Sequence, residues 1–130
     1  MIDKSLWGDG PWQNEVDRLE WIDSATKLPC VIRRSEHGTL CGYVNAGYYL
    51  DVYVYAHGGI TFTGPMPDGW WVGFDCAHGG DLTPATHHIL KAAGFPELAG
   101  GVYRDMTYVR EQVRLLAKQL KEAYDLREQR

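Results

Sequence analysis

The clearest hydrophobic pattern lies near the C-terminal end of the chain. Five apolar or aromatic positions follow at intervals of three or four residues: Val109, Val113, Leu116, Leu120 and Tyr124. This spacing places the side chains along one side of an α-helix. The pairs Lys118–Glu122 and Lys121–Asp125 put opposite charges four residues apart on the polar side, which supports the same helix. The pattern predicts a C-terminal helix over residues 105–128.

The middle of the chain is rich in β-branched and aromatic residues and is interrupted by glycine and proline. This composition is typical of strands separated by turns. We predict a sheet region over 20–82, in which the first strands form a hairpin. Its expected β-segments begin near residue 21 and cover 28–33, 39–45, 48–56, 60–63 and 70–76. The glycine- and proline-rich stretch 64–69 is predicted to be a loop that excludes both helix and strand.

Short helices are expected on either side of the sheet region. Residues 1–19 are predicted to contain a loop and then a helix over 12–19. A second short helix over 84–93 should end at Gly94 and Pro96. The elements together predict one α+β domain over 1–130. It has a single curved, mostly antiparallel sheet, and the long C-terminal helix packs on one face.

Composition narrows the classes of protein to which the chain can belong. The chain has 130 residues, 45% of them hydrophobic, and a net charge of −4. A domain of this size folds without disulfides, and its acidity disfavours nonspecific nucleic-acid binding. The cysteines Cys30, Cys41 and Cys76 form no CxxC pair, so we expect buried free thiols in a reducing compartment. Neither a signal peptide nor a membrane span is visible, so we expect a cytoplasmic protein that does not enter a membrane.

Ionisable residues and glycines are concentrated between residues 57 and 81. The ionisable groups lie at the ends of predicted strands, and the neighbouring glycines allow backbone to approach a ligand closely. Tryptophans and Phe74 in the same region can form the wall of a pocket. The candidate ligand-binding residues are His57, Gly58, Gly59, Thr61, Trp70, Trp71, Asp75, His78 and Asp81.

Part of this set suits a divalent metal ion. Imidazole and carboxylate ligands together are typical of zinc, manganese and non-haem iron. His57, Asp75, His78 and Asp81 are the candidate metal ligands. A metal bound there would activate a water molecule and allow hydrolysis of a phosphoester. The chain contains no HExxH or CxxC motif that would specify such a site.

The same residues have two further interpretations that need no metal. His57 or His78 is a candidate general acid or base, oriented by Asp75 or Asp81. Cys76 as a nucleophile is disfavoured, because it ends an apolar strand. In the structural interpretation, the aspartates bond backbone amides in turns, carbonyls satisfy the histidines, and the glycines adopt positive φ.

Two stretches of this region also carry a resemblance. His-Gly-Gly-Ile-Thr-Phe at 57–62 and Trp-Trp-x-Gly-Phe-Asp-Cys-Ala-His-x-Gly-Asp at 70–81 resemble a family of small uncharacterised proteins encoded by bacteriophages and prophages. The segments 42–44, 103–105 and 108–110 fit the same pattern. The resemblance implies an accessory protein that acts in the cytoplasm of an infected bacterial cell. It brings no activity and no functional residue with it.

These observations give three hypotheses for function. The first is an accessory binding protein that counters a host defence system, either by binding a host protein or by sequestering a nucleotide-like ligand. The second is a metal-dependent hydrolase that uses the histidines and aspartates. The third is a structural interaction domain that presents its C-terminal helix to a partner or to a second copy of itself.

Overall fold

A computed structural model describes residues 2–96 and 100–129. Its described part is an α+β fold, as predicted, with a five-stranded antiparallel sheet in the order β1, β2, β3, β5, β4. The strands are β1 (Arg18–Ile22), β2 (Pro29–Arg34), β3 (Leu40–Asn45), β4 (Phe62–Met66) and β5 (Gly69–Asp75). A short 3₁₀ helix (Pro11–Asn14) precedes them, and the helices α1 (Pro84–Ala92) and α2 (Met106–Glu128) follow.

Helix α2 packs on one face of the sheet, and its apolar stripe forms the core. The stripe residues Val109, Val113, Leu116 and Leu120 are all buried, together with strand residues such as Phe74. Each such side chain stabilises the fold by roughly 1.5–3 kcal/mol. Gly42 allows this close packing, because a Cβ there would lie 2.6 Å from a methyl group of Val113. The Asp105 carboxylate caps the helix by accepting a hydrogen bond from the Tyr108 backbone N–H at 2.8 Å.

The predicted helix over 12–19 does not form as such. Only the short 3₁₀ turn is present, and the chain is already in strand β1 from Arg18. The cause lies in Arg34, whose side chain is fully buried and whose Nε donates to Asp17 Oδ1 at 2.8 Å. The Arg34 backbone N–H also donates to the Asp17 carbonyl, which extends the pairing of β1 with β2 to the residue before Arg18. A buried guanidinium needs these partners, and the requirement overrides the local helical spacing.

The predicted strand over 48–56 is irregular in the structure. Its backbone groups bond to glutamine side chains of α2 instead of a neighbouring strand. Gln119 accepts from the Tyr55 backbone N–H at 2.8 Å and donates to the Tyr55 carbonyl at 2.7 Å. Gln112 accepts from the His57 backbone N–H at 2.9 Å. The segment is therefore held against the helix rather than in the sheet.

The stretch 64–69, predicted as a loop, contains the turn of a hairpin and the strand ends on either side of it. Strand β4 continues through Met66, and β5 begins at Gly69, so only Pro67 and Asp68 form the turn. Proline is tolerated within a strand when the strand is at the edge of its sheet, because no partner needs its missing N–H. Strand β4 is at such an edge, which explains the presence of Pro65.

The three cysteines are buried and free, as expected. Burial raises the pKa of Cys30 and Cys76 to about 12, so both stay protonated at neutral pH. No helix in the described part of the chain is long and apolar enough to cross a membrane.

Candidate functional site

Two loops bring His57, His78 and Asp81 together beside the start of α2. The first loop is a turn in which Gly58 and Gly59 have φ values of 72° and 95°. The second follows β5, where the Asp81 backbone N–H donates to the His78 carbonyl at 2.9 Å. Three of the four predicted metal ligands thus meet, and His57 lies more than twenty residues from the other two in sequence.

The imidazole of His57 bridges two other side chains. Its Nε2 lies 2.8 and 2.9 Å from the two carboxylate oxygens of Asp81, and its Nδ1 lies 2.7 Å from the Tyr108 hydroxyl. An ionised carboxylate can only accept, so the Nε2–H of His57 donates to Asp81. In the neutral imidazole, Nδ1 then accepts from the hydroxyl of Tyr108. The side chains of His57 and Asp81 are only 12% and 1% exposed.

Asp81 is the centre of the cluster. Besides His57, it accepts from Arg104 Nε at 2.9 Å and from the His78 backbone N–H at 3.0 Å. Burial favours the neutral acid, but the hydrogen bonds from His57 and Arg104 outweigh it and hold the pKa of Asp81 below its ordinary value. Asp81 is therefore a carboxylate at neutral pH. The guanidinium of Arg104 also lies over the Tyr108 ring, 5.0 Å from its centroid.

His78 leaves one polar atom unsatisfied. Its Nδ1 is buried and has no hydrogen-bond partner among the described residues. The atom lies 3.5 Å from Asp81 Oδ2 and 3.7 Å from Asp75 Oδ1, beyond good hydrogen-bonding distance. Gly58 makes room for the ring, because a Cβ at that position would lie 2.3 Å from His78 Cε1.

A group of three residues can offer ligand atoms to one metal ion. One donor atom each from His57, His78 and Asp81 all lie within 4.8 Å of one another. Asp75, the fourth predicted ligand, is outside this group, and its Oδ1 accepts from the Ala77 backbone N–H instead. It remains beside the group on the more exposed side of His78.

The predicted aromatic pocket does not assemble as expected. Trp70 and Trp71 are neighbours in a strand, so they lie on opposite faces of the sheet. Trp71 donates to Asp68 Oδ1 at 2.9 Å on the face away from α2. Phe74 is buried in the core and cannot contact a ligand. The side chain of Thr61 is exposed, and its backbone N–H donates to the Gly73 carbonyl.

A cleft of about 430 Å³ lies instead between β5 and the irregular segment before the glycine turn. Trp70, Gly59 and two tyrosines, Tyr49 and Tyr53, line it. The rings of Tyr49 and Trp70 meet edge to face, with centroids 5.3 Å apart. All its described lining residues are uncharged, and most are apolar. Two of the predicted ligand-binding residues therefore belong to a cleft that is separate from the histidine cluster.

Sequence reasoning missed Arg104 and Tyr108 as members of the cluster. Arg104 lies just before α2 and Tyr108 lies in its first turn, so no local pattern in the sequence links them to the histidines. Tyr49 and Tyr53 were missed because the stretch 48–56 was predicted to be a strand. Cys76 is not a nucleophile at neutral pH, because its thiol stays protonated.

Comparisons with family models, with curated proteins and with solved structures found no match to this chain.

Proposed function

We propose that this protein is an accessory binding protein of the bacteriophage type, which counters a host defence system by holding a host protein at the cleft beside β5. The observation that carries the proposal is an uncharged, aromatic cleft bordered by unusually exposed tyrosines. The bacteriophage setting rests on the sequence resemblance carried by 57–62 and 70–81 and by the shorter matching segments.

Three tyrosines on the segment that borders the cleft have unusually exposed side chains. Tyr53 is 88% exposed, and Tyr49 and Tyr55 are each more than half exposed. Val52, between them, is also exposed. Tyrosine supplies a large contact area and a hydroxyl at little entropic cost, and it is enriched at protein–protein interfaces. Three exposed tyrosines on one short segment therefore favour a binding role for that segment, which we call the tyrosine segment (residues 48–55).

The chemistry of the cleft favours a protein partner over a nucleotide. Phosphate groups are held by arginine, lysine or arrays of backbone N–H groups. The described residues that line the cleft provide no cationic side chain. An apolar side chain of a partner suits this environment, and tyrosine, which is enriched at protein–protein interfaces, adds a hydroxyl that can bond to the partner.

The cluster of His57, Asp81, Arg104 and Tyr108 gives less support to hydrolysis. A catalytic metal site keeps one coordination position open to substrate. Here the side chains of His57 and Asp81 are nearly buried, which leaves little room for a substrate to reach an ion between them. We therefore assign binding, rather than chemistry on a substrate, as the function.

The proposal is tested by expressing the chain in bacterial strains that each carry one defined defence system. The plating efficiency of a phage restricted by that system is then measured. The wild-type protein should restore plating in at least one strain, and Tyr53→Ala should lose that effect. Tyr53 is almost fully exposed, so its replacement should change the free energy of unfolding by less than about 0.5 kcal/mol.

Phe62→Ala is the matched control, because Phe62 is also an exposed aromatic residue but contacts Tyr43 on the opposite face of the sheet. It should behave as wild type. Retention of full activity by Tyr53→Ala, or equal loss in Phe62→Ala, would contradict the proposed site. Thermal stabilisation by a member of a nucleotide panel would show that the captured partner is a small molecule.

A further inference from the structure

We infer that His57, His78 and Asp81 form a structural site for one divalent transition-metal ion, with zinc as the best match to the ligand set. This inference does not depend on the cleft or on the proposed binding function. It concerns a different part of the molecule and goes beyond binding of a partner.

The first support is the ligand set itself. Two imidazole nitrogens and one carboxylate oxygen are a common combination for zinc. The three donor atoms already lie within 4.8 Å of one another. Ligands of a tetrahedral zinc ion are roughly 3.3 Å apart, given metal–ligand bonds of about 2.0 Å. The separation of 3.5 Å between His78 Nδ1 and Asp81 Oδ2 is close to that value.

The second support is the unsatisfied nitrogen of His78. A buried polar atom without a partner destabilises the fold, and such atoms are rare in native proteins. The Nδ1 of His78 is in this condition among the residues that the structure describes. It faces Asp81 and lies beside His57, whose ring centroid is 5.7 Å from its own. A cation bound among the three residues would satisfy this atom.

The third support is the set of groups around the ligands. Metal-binding histidines usually bond through their other nitrogen to an oxygen acceptor, which fixes the ring. Tyr108 is in that position, 2.7 Å from His57 Nδ1. When Nε2 binds a metal, the proton of His57 resides on Nδ1 and is donated to the Tyr108 oxygen. Arg104 holds Asp81 Oδ1, and its positive charge opposes cation binding, so the expected affinity is moderate.

The burial of the ligands indicates a structural ion rather than a catalytic one. The side chain of Asp81 is 1% exposed and that of His57 is 12% exposed. The ion would connect the glycine turn at 58–59 to the loop that follows β5. Its expected effect is therefore on stability.

The test uses untagged full-length protein that is stripped with a chelator and then dialysed against zinc. Mass spectrometry should find about one metal equivalent per chain. Saturating zinc should raise Tm by roughly 5–10 °C. His78→Gln should lose the metal and the shift in Tm. His37→Gln is the matched control, because His37 is an exposed histidine in a different turn.

Two results would overturn the inference. One is the absence of stoichiometric binding of zinc, cobalt, nickel or manganese to the folded wild-type protein. The other is full metal content in a folded His78→Gln variant. If His78→Gln does not fold, calorimetric titration of the wild type with zinc still decides the question. Failure of this test leaves the phage-plating test of the cleft unaffected, because the two use different residues.

Discussion

The side chain of Gln119 bonds to both backbone polar groups of Tyr55, at 2.8 and 2.7 Å. One glutamine side chain thus makes the two hydrogen bonds that a neighbouring strand would otherwise make with Tyr55. It satisfies the backbone of the tyrosine segment while leaving the segment outside the sheet. The position of the proposed binding surface therefore depends on helix α2.

Replacing Gln119 should weaken both the fold and the binding surface. We expect Gln119→Ala to lower the free energy of unfolding by about 1–2 kcal/mol, because two exposed hydrogen bonds to the Tyr55 backbone are lost. Hydrogen exchange at the Tyr55 amide should also accelerate. The measurement is urea unfolding together with amide exchange. Lys118→Ala, a change at the adjacent exposed position, should leave both quantities unchanged.

The glycine turn gives a second prediction through two neighbouring positions. Both Gly58 and Gly59 have positive φ, so alanine is strained at either. A Cβ at Gly59 meets nothing within 4 Å, whereas one at Gly58 lies 2.3 Å from the His78 ring. We expect Gly59→Ala to cost about 1 kcal/mol and Gly58→Ala to cost about 1–3 kcal/mol more. Thermal unfolding measures the difference, and equal costs would show that the His78 ring is not packed there.

How far the sequence predicted the fold depends on whether the deciding contacts are local. The stripe from Val109 to Leu120 has one interpretation, because helical period and burial agree. The stretch 48–56 has the composition of a strand, but its partner is Gln119, which no local pattern reveals. Pro65 argues against a strand unless the strand is at an edge, and the sheet order is a property of the whole fold.

The candidate site was only partly predicted, because some of its contacts are local in sequence and others are long-range. His57, His78 and Asp81 converge, but His57 comes from the irregular segment held against α2 and not from the end of a neighbouring strand. Arg104 and Tyr108 come from a distant helix start, so their place in the cluster depends on how α2 docks. Trp70 and Trp71 were assigned to one pocket, although adjacent positions in a strand point to opposite faces.

The low pKa of Asp81 predicts how stability depends on pH. Its folded-state pKa is below the unfolded value, because the hydrogen bonds from His57 and Arg104 outweigh burial. The contribution to stability is therefore fully present above the unfolded pKa of about 3.9, and it is lost as pH falls through the folded pKa. Urea unfolding of the wild type should weaken over this acidic range. Asp81→Asn should be less stable at neutral pH and should lack this component of the pH dependence. If the free energy of unfolding depends on pH identically in the two proteins, the lowered pKa of Asp81 is contradicted.

The buried guanidinium of Arg34 predicts a large effect on stability. It donates to Asp17, to the Gly38 carbonyl and to the Tyr103 hydroxyl. Arg34→Ala leaves the Gly38 carbonyl without this donor and removes one of the two cationic partners of the half-buried Asp17, the other being Lys4. Because a buried ion pair and its hydrogen bonds are broken together, we expect a loss of about 3–5 kcal/mol. Arg33→Ala, at the next and exposed position, should cost far less. Chemical denaturation of both variants provides the comparison.

The central claim is that the cleft beside the tyrosine segment binds a host protein. Its most direct test is calorimetric titration of the purified defence component, identified by the plating assay, with wild-type, Tyr53→Ala and Phe62→Ala proteins. We predict that Tyr53→Ala weakens binding by about tenfold or more, as at an interface hot spot, and that Phe62→Ala binds as tightly as wild type. Unchanged affinity of Tyr53→Ala, or an equal loss in Phe62→Ala, would contradict the account.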